Sequence, residues 1–126
     1  MPGKGLNAYK QTAKTTISGR ELEAAVLNKA ARLLMECQEL WGEEGRAQRL
    51  DGALTFNQKI WTIFQEELLK DDNPLPVKVR ENILNLSVFI DKTIIDIMAH
   101  PAPEKLKIII DINMNLAAGL RGSQAQ

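Results

Sequence analysis

A chain of 126 residues is long enough for one domain with one hydrophobic core, and its sixteen basic residues are matched by sixteen acidic ones. That balance removes the electrostatic footprint of an ordinary nucleic-acid binder, so RNA and DNA are not expected as direct partners. A single cysteine excludes an intrachain disulfide and most thiolate metal sites, and no run is apolar enough for a membrane span or signal peptide; a cytoplasmic location without a membrane partner is expected.

Residues 1–17 are polar, rich in Gly and Thr, and carry Lys4, Lys10 and Lys14 with no acid. Their composition predicts a loose N-terminal arm, anchored by Leu6 and Tyr9 or docking a partner through them. Ser18-Gly-Arg-Glu21 has the form of a capping box and predicts that the first helix starts there, running to about 41. Leu22, Val26, Ala30, Leu33, Cys37 and Leu40 recur at helical spacing as its apolar face. Cys37 on that face reads as a small hydrophobe, since no His or Lys stands at helical spacing to activate it. Gly42 and Gly45 predict the turn that follows.

The second helix, expected over 46–70 with Gly52 tolerated inside it, or else shorter and capped at Asp51-Gly52, carries the densest apolar stretch of the chain. Leu54, Trp61, Phe64 and Leu68 form one stripe, and Phe56, Ile60 and Ile63 widen it, so burial on more than one side is expected. Asn57 interrupts this stripe. An amide covered without partners costs about 1–3 kcal/mol, so Asn57 is expected to be at least partly buried and hydrogen-bonded.

Asn73-Pro74-Leu75-Pro76 stops the second helix, and Pro76 is placed to begin a third over 76–99. Val79, Ile83, Leu86, Ile90, Ile94 and Ile97 form its main stripe, with Leu84, Val88 and Ile95 as another, which predicts either the centre of the bundle or half of an interface. His100, the only histidine, stands before Pro101 and reads as a capping or turn residue. Pro103 opens a fourth helix to about 120, with Leu106, Ile109, Ile110, Leu116, Ala117 and Leu120 on one face, and Asn113 there repeats the oddity of Asn57. Gly119 or Gly122 is a fitting end, and residues 121–126 form a tail expected to be disordered. The fold class is therefore all-α: a small antiparallel bundle of about four helices, domain 18–120, with a loose arm.

No catalytic set emerges. The sequence holds no Gly-rich phosphate loop, nucleophile elbow or metal-ligand pair at helical spacing, so neither enzyme activity nor a cofactor or metal is expected.

Read together, Asn7-Ala8-Tyr9, Arg20-Glu21, Ala53-Leu54-x-x-Asn57-x-x-Ile60-Trp61, Asn73-Pro74-Leu75-Pro76 with Arg80, and Ile112-Asn113 with Gly119-Leu120 resemble the flagellar biosynthesis regulator FlaF family. Their order and spacing span nearly the whole chain. Phe56 stands where many members look to have a tryptophan. The resemblance implies a small helical bacterial factor for flagellin production and export, with flagellin as the direct partner and an FlbT-like regulator as another. Two routes fit it. One is a chaperone-like protein that binds a helical segment of flagellin. The other is a regulator of flagellin messenger RNA, acting directly, with the lysines of the arm or Arg46 and Arg49 meeting phosphates, or through the FlbT-like protein. A helical chain that is apolar on several faces fits a helper for another helical chain, or a homodimer.

Overall fold

The structure is a computed structural model that describes the backbone of residues 2–125 and the side chains of residues 19–122. It contains four α-helices: α1 (Pro2–Glu39), α2 (Arg46–Leu68), α3 (Val77–Ala99) and α4 (Lys107–Ala125), the last entered through a 3₁₀ turn, Pro103–Leu106. The all-helical architecture is the one the periodicity predicts.

The first helix differs from its expectation. Its backbone is helical from Pro2, so Ser18-Gly-Arg-Glu21 lies inside a helix instead of opening one. Proline is tolerated in a first turn, and no other proline occurs before Pro74. The good helix formers Lys4, Ala8, Lys10, Ala13 and Lys14 offset the glycines. The side chains of Leu6 and Tyr9 lie outside the described residues. At the other end α4 continues to Ala125, so neither Gly119 nor Gly122 ends it.

The buried face of α1 is only partly the expected one: Ala30 and Cys37 are covered as expected, and Leu33 and Leu40 are half-buried, but the face is rotated at the start of the helix. Leu22 is 64% exposed and Val26 half-buried, whereas Ala24, Leu27, Ala30, Ala31, Leu34 and Cys37 are covered. Three alanines on this face leave room for a close approach by α4, which presents Ile109, Ile110, Asn113 and Ala117. Helix α1 accordingly packs chiefly on α4 and secondarily on α2.

Helix α3 is not the centre of the bundle. It packs on α2 and on the 3₁₀ turn, burying Ile90, Ile94 and Ile97, while Val77, Val88 and Ile95 face solvent. The tightly packed centre is α1, α2 and α4.

Short polar devices close the connections. Gly45, at φ 84°, turns the chain from α1 into α2, and Arg49 N–H donates to its carbonyl. The Arg49 guanidinium then caps the preceding turn: Nη2 donates to Leu40 O at 2.9 Å and Glu43 O at 3.3 Å, and Nη1 to Glu44 O at 3.0 Å. Pro76 is the residue before α3 proper, and its carbonyl accepts from Arg80 N–H. At the far end of α3, Lys105 Nζ donates to His100 O and pairs with Asp96, and Gln38 of α1 holds Pro103 O at 3.0 Å.

Gly45→Ala should lower the unfolding free energy by about 1–2 kcal/mol, the cost of a left-handed conformation for an L-residue. Gly52→Ala should raise it by about 0.5–1 kcal/mol, because the added methyl, inside α2, meets nothing within 4 Å. Urea midpoints at unchanged m-value measure both.

Candidate functional site

Among the described residues the side chains that stand apart from ordinary packing form two connected features, a buried polar relay and an open groove above it. The relay begins at Trp61, which is fully buried on α2. Its indole N–H donates to Asn113 Oδ1 on α4 at 2.9 Å, and Asn113 Nδ2 donates to Asn57 Oδ1 on α2 at 2.6 Å. Asn57 Nδ2 then donates to Ala53 O at 2.9 Å and to Ala30 O on α1 at 3.2 Å. Asn57 and Asn113 are both fully buried.

The direction of this relay is forced by chemistry. An indole N–H can only donate, so Asn113 must turn its oxygen to Trp61 and its amino group to Asn57. Backbone carbonyls only accept, so Asn57 must turn its amino group to Ala30 and Ala53 and its oxygen to Asn113. Each amide thereby has one usable orientation, and α1, α2 and α4 are joined in one register.

The groove lies one helical turn further along. Phe64 meets Trp61 edge to face, with centroids 5.9 Å apart, and with Leu68, Leu75, Ile83, Leu116 and Leu120 it forms the apolar wall of a groove of about 240 Å³. Arg20, Glu23 and Glu67 stand at its edge, and Asn73 and Pro74 complete it. The loop is pinned by Asn73, whose Nδ2 donates to Glu67 O and whose Oδ1 accepts from Leu75 N–H, both at 3.0 Å. Partial burial raises the pKa of the Glu23 carboxyl; Arg20 pulls it back and the negative charge of Glu67 pushes it further up. The groove is thus apolar inside with a local excess of acid at the edge.

Pro74 lines the groove, whereas Pro76 stands exposed at the start of α3. Asn73 as the clamp of the loop was missed as a site by sequence reasoning, although its place before Pro74 is a turn signal. Arg46 and Arg49 are engaged: the Arg46 guanidinium lies 5.2 Å from the centre of the Trp41 ring, and Arg49 holds the carbonyls described above. The Cys37 thiol, its pKa raised by burial, donates to Arg49 O at 3.5 Å.

A family model described as Flagellar protein FlaF matches residues 6–120. The chain belongs to the FlaF family. Membership gives it a role in flagellum biogenesis, in a family of assembly and regulatory proteins not known as enzymes. No curated protein and no solved structure matches the chain. Within this FlaF chain eight of the residues that carry the resemblance fall into two sets in space. Asn57, Trp61 and Asn113 make the relay, while Arg20, Asn73, Pro74, Leu75 and Leu120 line the groove. No helix among the described residues is long and apolar enough to cross a membrane.

Asn113→Leu should destabilise the fold by about 1–3 kcal/mol for each partner it orphans, Trp61 N–H and Asn57 Oδ1. Asn57→Leu together with Asn113→Leu should cost less than the sum of the single changes, since the second removes a group the first has stranded; a double-mutant cycle from chemical denaturation reads this coupling.

Glu23→Gln should stabilise the protein at neutral pH, because the wild-type carboxylate is charged in a site that favours its neutral form. The sign follows from linkage: a folded-state pKa raised above the ordinary value of 4.5 weakens the fold fully above the raised pKa. The Tm gap between variant and wild type should therefore close as the pH falls towards 4.5.

Proposed function

We propose that this FlaF-family protein acts in the cytoplasm as a chaperone-like factor that binds flagellin and supports its production and export. The observation that carries the reading is the convergence of Arg20, of Asn73-Pro74-Leu75 and of Leu120, three stretches far apart in sequence, on one groove. A structural role alone explains the buried relay but not an open apolar groove bordered by charge, since exposed apolar concavities mark interaction sites. The occupant we assign to it is a helical segment of unassembled flagellin whose apolar side chains fill the space between Phe64, Leu68 and Leu116, with a basic residue against Glu23 and Glu67. A cation there would relieve the like-charge contact at Glu23.

The competing reading, direct action on flagellin messenger RNA, has less to stand on. Arg46 and Arg49 are occupied within the fold, and direct contact would fall to the lysines of residues 1–17. Action through an FlbT-like regulator is compatible with flagellin binding and needs no nucleic-acid surface.

Calorimetric titration of nuclease-treated protein with monomeric flagellin tests the proposal. Binding is expected without RNA, and Leu75→Glu should weaken it at least about tenfold, a loss of about 1.4 kcal/mol. Tyr9→Ala and a truncation lacking residues 1–16 should leave most of the affinity in place. Absence of heat and co-elution at about 50 µM, a concentration that captures micromolar complexes, would overturn the flagellin reading. Binding that Leu75→Glu leaves intact but the truncation abolishes would move the site from the groove to the N-terminal segment.

A further inference from the structure

Helix α3 presents a second apolar row on the side turned away from α2. Val77, Val88 and Ile95 are 59%, 50% and 65% exposed, and Leu84 between them is half-buried. They recur at steps of seven, four and seven, which keeps one row in line on a helix. The row is nearly the same read from either end: a valine and an isoleucine stand outside, a leucine and a valine inside. Charges flank it in the same self-complementary way. The helical period sets Glu81 and Lys92 on one flank and Arg80 and Asp91 on the other.

We propose that this face of α3 is a homodimer interface, on which a second copy of the chain lays its own α3 antiparallel about a twofold axis passing beside Leu86. In that arrangement Val77 meets Ile95 of the second copy and Leu84 meets its Val88. A twofold axis relating antiparallel helices brings like flanks together. Glu81 therefore faces Lys92 of the second copy, and Arg80 faces its Asp91, each pair occurring twice. A parallel second copy would instead bring unlike flanks together, Glu81 beside Arg80 and Lys92 beside Asp91, so the orientation is assigned from the end-to-end symmetry of the apolar row and is read by the exchange of Glu81 with Lys92 below.

One local observation agrees. Asp91 Oδ2 accepts from Gln65 Nε2 at 3.1 Å, which holds the carboxylate in place and leaves Oδ1 to receive a guanidinium. The groove is on another side of the molecule, since α3 contributes Ile83 to it from the stripe that faces the core. A single helix pair makes an interface at the small end of those that hold stable dimers, so dissociation in the micromolar range is expected.

Sedimentation equilibrium of the full chain across about 1–200 µM, which brackets a micromolar dissociation constant, should show a monomer–dimer equilibrium. Ile95→Glu should leave only monomer, with circular dichroism unchanged because the side chain is exposed. Glu81→Lys alone and Lys92→Glu alone should each weaken the dimer by about tenfold, and the two together should restore it, since the reciprocal exchange rebuilds the pair. Monomer at every concentration overturns the proposal. A dimer indifferent to Ile95→Glu, or single exchanges that the double exchange does not rescue, overturns it equally, because either would mean a different interface or register.

Discussion

Trp61 has one hydrogen to give and nothing with which to accept, and that asymmetry propagates through the centre of the molecule. It orients Asn113, which orients Asn57, which takes hold of the carbonyls of Ala30 and Ala53. An all-apolar seam of the same volume would permit α4 to slide or rotate against α2 with little penalty, because hydrophobic contact is nondirectional. The relay permits no such shift: displacing α4 by a turn would strand an indole N–H, an amide oxygen and an amide N–H where water does not reach. The uniqueness of the packing of α1, α2 and α4 thus rests on four hydrogen bonds more than on any one apolar contact.

The groove depends on that fixed register. Its two long walls come from the turns next to the relay, Phe64 and Leu68 after Trp61 on α2, and Leu116 and Leu120 after Asn113 on α4. Holding Trp61 against Asn113 therefore also sets the spacing of the walls. The third side is the loop that Asn73 folds back on Glu67 O, and the fourth is α1 at Arg20 and Glu23. Binding surfaces are more selective when their shape is held before the partner arrives, since less ordering has to accompany binding. The division of these residues between a relay and a groove has a physical logic: one set fixes the geometry that the other displays.

Much of this was legible in the sequence, and the exceptions have definable causes. The stops at Asn73-Pro74 and at Pro101, and the helices between them, follow from proline chemistry and periodicity, which act locally. Asn57 and Asn113 announced themselves by standing in apolar stripes, although nothing in the sequence said that they face each other 56 positions apart. The buried face of α1 was partly misplaced because alanine is ambiguous: Leu22 and Val26 attract attention by size, whereas Ala24 and Ala31 are buried by virtue of being small. The start of α1 was misplaced because a capping box signals where a helix can begin and says nothing about whether the preceding turn continues it. The groove was not legible at all, being assembled from five separate segments whose only shared feature is the register that the relay imposes.

Helix α3 shows how an apolar count can mislead about position and still be right about purpose. Its total of apolar residues suggested the centre of the bundle or half of an interface, and it packs chiefly on α2 and the 3₁₀ turn, whereas α1, with Ala24, Ala30 and Ala31 buried, admits α4 and α2 at close range. Bulky Val, Leu and Ile on two opposite faces suit a helix with a partner on each side. One partner is α2, through Ile90, Ile94 and Ile97. The opposite row, with its reversed charges, satisfies itself in a second copy, and such a pairing leaves the core-facing stripe and the groove wall at Ile83 undisturbed. Self-association through α3 and recognition through the groove then draw on separate surfaces of one rigid bundle, so each can be altered by substitution without the other.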